Sequence, residues 1–321
     1  VRARLIANPQ AGADLAPTYI PLITEKLRPL VGEIDVTIST SVADTERIAA
    51  RTLSEHYDAL YVAGGDGTLN AALRGLLSDV GGTSPIPVGT PIPIGVVPLG
   101  TGNDFAKALD LGEEPEAALD ALLEGRVIDV DVGLVNDHPF VNTSAGGFIA
   151  DVSEKVTETL KNAAGKLAYL VGGARALFGT EPFSARLAVH DDDVSRAARP
   201  VIDVQLFAVC NARFIGGGYP IAPDALIDDG LLDVLMVRRM PLMEFVAVLQ
   251  RLATGQHRND PAVLRFRSAA FELEFDRTVR VNTDGELLEA SRCRYQTRRG
   301  SALFFCGASP QSTRQPRAWL P

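Results

Sequence analysis

Only three cysteines (Cys210, Cys293, Cys306) occur in 321 residues, and they lie far apart. That scarcity excludes a disulfide framework and a cysteine-based zinc site, and it points to a reducing cytosol. Four scattered histidines (His56, His138, His190, His257) offer no imidazole metal centre. No apolar run approaches the ~18 residues that suggest a membrane span. The opening Val-Arg-Ala-Arg-Leu-Ile-Ala-Asn-Pro lacks the apolar stretch of a secretory leader and reads as a first core strand. A soluble, cytoplasmic protein is therefore expected. Positive charge is also in deficit. A net charge of −9 excludes the broad basic surface of a nucleic-acid binder. The deficit is uneven, because six arginines and no acid occur from Ala290 to Pro321.

What is present is an ordinary globular balance, 46% apolar and 22% charged, in a chain long enough for two domains. The first 130 residues alternate short apolar strands (Arg4–Ala7, Ile34–Thr40, Ala59–Ala63, Ile92–Val97) with helical patterns, the signature of a parallel α/β sheet. Helices are expected around Leu15–Leu30, Asp44–Glu55, Leu69–Ser78, Asp104–Leu109 and Pro115–Glu124, with Asp44 and Asn103 as N-caps. The Gly/Pro-rich Val80–Pro93 reads as a loop. Beyond Gly125, strand follows strand from Val127–Val135 to Ala302–Cys306. Helical apolar faces interrupt them at Leu167–Phe178 and Leu242–Leu252. This predicts a second, mostly antiparallel β domain. A polar tail starts near Ser309.

Two loops carry chemistry. The strand Ala59–Ala63 runs into Gly64-Gly65-Asp66-Gly67-Thr68-Leu69-Asn70 and then a helix. Glycines at the carboxyl end of a parallel strand let backbone N–H groups approach an anion. A carboxylate beside phosphate is repulsive unless a cation stands between them, so Asp66 points to Mg²⁺ with a nucleotide. A tight strand–helix turn accounts for the glycines equally well. The strand Ile92–Val97 leads into a second loop of the same kind, Pro98-Leu99-Gly100-Thr101-Gly102-Asn103-Asp104-Phe105-Ala106. This spacing sets Asp66 and Asp104 on opposite sides of one phosphate site. Asn8-Pro9-Gln10-Ala11-Gly12 joins the same rim. There is no Walker A motif, since Gly165-Lys166 lacks the upstream Gly and the following Ser/Thr.

These motifs, in this order, resemble the catalytic domain of the diacylglycerol kinase superfamily, of the bacterial soluble lipid kinase type. The second half continues the likeness through Asn211-Ala212-Arg213-Phe214-Ile215-Gly216-Gly217-Gly218, Asp228-Asp229-Gly230-Leu231-Leu232-Asp233 and Asp284-Gly285-Glu286. The resemblance implies a Rossmann-like nucleotide-binding domain over residues 1–130 and a β-sandwich acceptor domain over 131–290. A return strand and basic tail over 291–321 and an active-site cleft between the two domains complete the picture. It implies ATP contacts at Asn8, Thr40, Gly64, Gly65, Asp66, Gly67, Thr68, Asn70, Gly100, Thr101 and Asn103. Asp66, Asp104 and Asp131 would organise the catalytic Mg²⁺. The Asp229 side chain, with the carbonyls of Leu226 and Leu231, would hold a structural metal. Asp284 would accept the proton of a lipid hydroxyl, and Glu286 could orient it, although a surface-turn carboxylate is the simpler reading.

Some positions depart from the family. Ala11 and Ala13 flank Gly12 where relatives often carry Ser and Lys, so a phosphate-touching lysine is missing. Ala71 stands where Glu is common. The leading function is an ATP-dependent lipid kinase, most simply of diacylglycerol, working at a membrane surface. Alternatives are a kinase of a sphingoid base, ceramide, another lipid alcohol or NAD, and a catalytically silent nucleotide-binding regulator. NAD is disfavoured by Gly-Thr-Gly-Asn-Asp and by the Asp-Asp-Gly and Asp-Gly-Glu segments. The C-terminal arginines (Arg292, Arg294, Arg298, Arg299, Arg314, Arg317) are the candidate membrane-docking face, with a solvated tail as the competing reading. The Leu242–Leu252 helix with Met240 and Met243 could line an acyl groove, but its spacing suits a buried core face better.

Overall fold

A computed structural model describes residues 1–9, 16–78, 90, 92–147, 149–150, 183–189 and 200–319. The Ala11–Ala13 turn, most of Val80–Pro93, Gly165-Lys166 and the Leu167–Phe178 helix lie outside the described residues. In the first half, strands β1 (Arg2–Ala7), β2 (Glu33–Ile38), β3 (Ala59–Gly64) and β4 (Ile94–Pro98) pair in parallel in the order β2-β1-β3-β4. Every residue of β3 and β4 is buried. Strands covered on both faces need continuous apolar runs, which Ala-Leu-Tyr-Val-Ala-Gly and Ile-Gly-Val-Val-Pro supply. The covering helices are α1 (Ala16–Val31), α2 (Val42–Ser54), α3 (Asp66–Leu77), α4 (Asp104–Ala108) and α5 (Pro115–Leu123).

One expected N-cap is corrected, and the other, Asn103, stands at the N-cap position of α4. Ser41 caps α2, its side chain accepting from the Asp44 N–H; Asp44 reaches back to the Thr40 N–H (2.9 Å) instead. Asn103 precedes α4 but makes no side-chain cap bond. That task falls to a distant carboxylate, described below.

The second half is β-rich and antiparallel. It comprises β5 (Arg126–Val135), β6 (His138–Phe140), β7 (Thr143–Gly147), β8 (Phe183–Val189), β9 (Val201–Cys210), β10 (Leu232–Arg238), α6 (Leu242–Ala253), β11 (Val263–Ser268), β12 (Ala270–Thr283), β13 (Glu286–Phe305) and β14 (Arg317–Ala318). The runs Ala270–Phe275 and Thr278–Val281, and likewise Leu287–Tyr295 and Ala302–Cys306, read as separate strands in sequence but belong to single long ones, β12 and β13. Each has a register shift where the apolar pattern breaks, at Glu274/Val279 and Arg298/Ala302. One hydrogen-bonded sheet runs through both halves, because β13 pairs antiparallel with β12 and β5 and meets β4 in parallel at Phe304 and Ile94. The strand β5 runs through residue 130 and β13 through residue 290.

The tail after Ser309 is anchored rather than solvated: β14 pairs with β5, and Trp319 meets the Phe305 ring edge-on at 5.0 Å. In α6, Phe245, Val248, Leu249 and Leu252 are buried against β7, β9 and β10, so this face is core; Met243 at its tip is 78% exposed.

Strand β7 is a structural surprise, since Thr-Ser-Ala-Gly-Gly has no apolar alternation. It lies between β9 and β12 with all five residues buried. Its glycines are required sterically: a Cβ on Gly146 would sit 2.3 Å from the Phe207 ring. Gly146→Val is expected to lower stability by about 1–3 kcal/mol through overpacking, read as a lower urea midpoint with an unchanged slope.

Candidate active site

Parallel strands deliver their following loops to one edge of the sheet, where those of β1, β3 and β4 meet. Thr68 folds back over Gly64, where a Cβ would lie 2.7 Å from the Thr68 Cβ, and the Asn8 amide donates to Thr68 Oγ1 (3.1 Å). The two glycine loops touch backbone to backbone: a Cβ on Gly100 would lie 2.6 Å from Gly65 Cα. Asn103, at φ 50°, closes its loop by accepting from the Gly100 N–H (2.9 Å) and donating to the Gly100 carbonyl (2.7 Å). Gly67 and Thr101 are exposed at the mouth, and Asn70 is buried on the first turns of α3. Asn8, the Gly64–Asn70 segment and Gly100–Asn103 are thus brought together. Thr40 follows the edge strand β2, where the Ser39 N–H donates to the Ala7 carbonyl just before Asn8 (3.0 Å), and Asp44 Oδ2 accepts from both the Thr40 N–H and its hydroxyl.

Three carboxylates face this junction, each held by main-chain N–H groups. Asp66 accepts from Asp104 N (3.0 Å) and Phe105 N (3.1 Å), so it provides the cap that Asn103 does not. Asp104 accepts from Gly217 N (2.9 Å) and Gly218 N (2.7 Å), in a loop whose positive φ values (92° and 103°) suit glycine. Asp284 accepts from Val141 N (2.8 Å), Asn142 N (3.1 Å) and Thr143 N (2.7 Å). Asp284 and Gly285 form the two-residue turn between β12 and β13, both at positive φ, as the Asp-Gly hairpin pattern requires. That turn abuts the first glycine loop, with a Cβ on Gly285 reaching 3.9 Å from Gly67 Cα.

Burial pushes the Asp66 carboxyl above its ordinary range, and the neighbouring Asp104 charge adds to the shift. Burial likewise pushes Asp284 up to about 6, against its three N–H bonds and with a further push from Asp66. Repulsion among carboxylates in one place is what a cation relieves. Gly102 leaves room for one: a Cβ there would lie 3.2 Å from Asp66 Oδ2 and 3.7 Å from Asp104 Oδ2. Two carboxylates around an open gap, with phosphate and water as the other ligands, fit Mg²⁺.

The other expected metal ligands lie elsewhere. Asp131 is buried with its carboxylate on Gly230 N (2.5 Å) and Gly300 N (2.7 Å), so it ties the 226–231 turn to β13 and is not brought to Asp66 and Asp104. In that turn, Asp229 Oδ1 accepts from Leu231 N (3.0 Å) and Oδ2 is ion-paired to Arg267, which also reaches Asp233 (3.2 Å). A guanidinium thus balances the Asp229 charge beside Leu231. Among the described residues, no cluster of three or more carboxylate, thiol or imidazole groups forms a metal cage.

The C-terminal arginines are not a bare basic face. Arg292 and Arg294 pair with Glu272 on the neighbouring strand, and Arg292 also with Glu274. Arg317 makes two bonds to Asp129 (2.6 and 2.9 Å), Arg314 lies 4.0 Å from Asp228, and Arg299 donates to the Asp229 carbonyl (3.2 Å). Acids distant in sequence neutralise most of the cluster.

Sequence reasoning missed the supports. Lys107, on α4, donates to the Gly102 carbonyl (3.1 Å), lies 3.7 Å from Asp104 and is largely buried, placing a cation beside the acidic pair. The Val141–Thr143 amides that hold Asp284 carry no side-chain signature. Gly217 and Gly218 were visible as a motif without an assigned task. Gly102→Ala is expected to leave the urea midpoint nearly unchanged. Calorimetry should show its affinity for Mg²⁺-loaded ATP falling about tenfold or more, an equivalent of ~1.4 kcal/mol, because the new methyl group occupies the gap.

Both halves of the chain are similar to known proteins. Residues 2–135 match the diacylglycerol kinase catalytic domain, and residues 143–301 match the YegS C-terminal NAD kinase beta sandwich-like domain. A diacylglycerol kinase of Staphylococcus saprophyticus is 30% identical over 285 residues, covering 89% of this chain and 88% of that protein. One of Bacillus subtilis is 28% identical over 286 residues, 89% of each chain. A crystal structure from Bacillus anthracis superimposes with a TM-score of 0.79 at 22% identity, over 96% of both chains. Among the described residues no helix is long and apolar enough to cross a membrane. With both halves matched in order and a relative this similar along nearly its whole length, the chain belongs to the diacylglycerol kinase family and is a kinase that phosphorylates an alcohol.

Proposed function

We infer that this kinase transfers the γ-phosphoryl group of ATP to a lipid hydroxyl, with diacylglycerol as acceptor and phosphatidic acid as product. The observation that carries the mechanism is the convergence of Asp66, Asp104 and Asp284, each fixed by backbone N–H groups, where two glycine loops meet a hairpin turn. The relatives named diacylglycerol kinase support the choice of acceptor. Phosphoryl transfer through a loose transition state asks mainly for positioning and charge neutralisation. Asp66 and Asp104 would hold Mg²⁺ in the gap over Gly102, where the ion neutralises phosphate oxygens. The Gly64–Gly67 and Thr101–Asn103 backbone would offer N–H groups to the phosphates at the sheet edge. Asn8 and Thr68 brace the first of these loops.

Asp284 is the proton acceptor. Two N–H groups bind its Oδ2 and one binds Oδ1, so of about four lone-pair sites one on Oδ1 is left for the acceptor hydroxyl. A carboxyl raised to about 6 is a better base than an ordinary Asp, yet stays ionised at neutral pH. A lipid acceptor makes the membrane surface the working partner, visited peripherally by a cytoplasmic enzyme. Because NAD kinase gives its name to the fold of residues 143–301, NAD is the alternative acceptor to exclude.

Transfer of ³²P from [γ-³²P]ATP to a panel of diacylglycerol, ceramide, sphingosine and NAD tests this. Label is expected in phosphatidic acid and should vanish with EDTA; label in NAD alone would overturn the lipid reading. Asp284→Asn is expected to lower kcat by about 10²–10⁴-fold, the span of general-base contributions. Since only the ionised carboxylate accepts a proton, kcat/KM of the wild type should rise with pH through about 6 and then level off. That limb should be absent in the Asn variant's residual activity.

A further inference from the structure

Helix α3 starts in the nucleotide loop and presents one stripe, at positions 67, 70 and 74, to the second half of the chain. Gly67 abuts Gly285, as described above. One turn on, the buried Asn70 amide lies against β6: in the amide orientation that satisfies both neighbours, its nitrogen donates to the Pro139 carbonyl (3.3 Å) and its oxygen accepts from Arg74 Nη1 (3.2 Å). At the end of the stripe, Arg74 Nη1 donates to Glu286 Oε2 (2.5 Å), and its Nε donates to Glu46 Oε1 on α2 (2.7 Å). The spacing i, i+3, i+7 is one face of a helix, so these contacts form a single line.

We propose that Arg74 is a positioning residue, a latch that fixes the Asp284 hairpin against the nucleotide loop through its ion pair with Glu286. Glu286 is the first residue after the Asp284-Gly285 turn and pairs with Thr283 across it, so a pull on Glu286 acts directly on the turn. Arg74 is itself held from behind. Helices α2 and α3 approach so closely that a Cβ on Gly75 would lie 2.2 Å from the Glu46 carbonyl oxygen, which places the Glu46 carboxylate beside the guanidinium. The Arg74 side chain is only 15% exposed, so solvent screens this pair less than a surface one. The guanidinium fork meets Glu46, Glu286 and the Asn70 amide at once, which an ammonium group could not match. Arg74 touches none of the expected reacting groups, and its action runs through the hairpin.

The inference rests on Asp284 as proton acceptor, and its test separates the two. Wild type, Arg74→Met, Arg74→Lys, Glu286→Gln and the double variant Arg74→Met/Glu286→Gln are compared by steady-state kinetics and by amide hydrogen exchange over residues 282–288. Each neutralising single change is expected to lower kcat about 10–100-fold with KM for ATP within about twofold, a misplacement effect. The double variant should be no worse than the worse single one, Arg74→Lys should recover part of the loss, and exchange at Gly285 and Glu286 should accelerate. Wild-type exchange rates in both single variants, or losses that multiply in the double variant, would overturn the latch. If Asp284→Asn proves harmless, the proton-acceptor reading fails, and the exchange data still decide whether Arg74 fixes the turn.

Discussion

Backbone N–H groups gripping three acidic side chains are the interaction on which this structure turns. Each carboxylate is held by main-chain donors from a segment far away in sequence: Asp66 by the start of α4, Asp104 by the Gly217-Gly218 loop, and Asp284 by Val141–Thr143. Main-chain donors cannot swing like side chains, so the negative charges are preorganised before any ligand arrives. The cost is repulsion and burial, visible in the raised carboxyl groups of Asp66 and Asp284. A cation entering there, as the proposed function requires, would release this electrostatic cost and favour a metal-bound phosphate.

The sheet explains how residues more than two hundred positions apart come to share a site. Strand β13 joins the halves, pairing with β12 and β5 in the β-rich half and meeting β4 in the parallel one. Its first residue follows the Asp284 turn, and its last ones pack into the core beneath the glycine loops, where Phe304 meets Phe105 at 5.1 Å. Asp131 secures the middle of this strand by capturing the Gly300 N–H at the register shift. Buried carboxylates in this protein thus tie together backbone segments that are distant in sequence.

Much of this was legible in the residues. Continuous apolar runs marked β3 and β4, and the glycine–aspartate loops after them marked the site, because close backbone approach leaves few alternatives to glycine. The residue types therefore spoke for their own geometry. Other features were silent for equally physical reasons. The strand Thr143–Gly147 has no hydrophobic signal, since its neighbours supply the bulk, and the amides that seat Asp284 belong to the backbone. The partners of Asp131 and Asp229, Gly300 and Arg267, lie at sequence separations no local pattern reports. The same blindness affected the arginine-rich end, whose neutralising acids come from β5, β12 and the 226–231 turn.

The central claim is that Asp66 and Asp104 share one cation over Gly102, with Asp284 facing the same point. Anomalous diffraction from crystals grown with Mn²⁺ and a non-hydrolysable ATP analogue tests it most directly. The account predicts one strong manganese peak contacting both carboxylates, with the analogue's γ-phosphate between that ion and Asp284. A peak at Asp229 alone, or a nucleotide bound away from the Gly64–Asn70 loop, would contradict it.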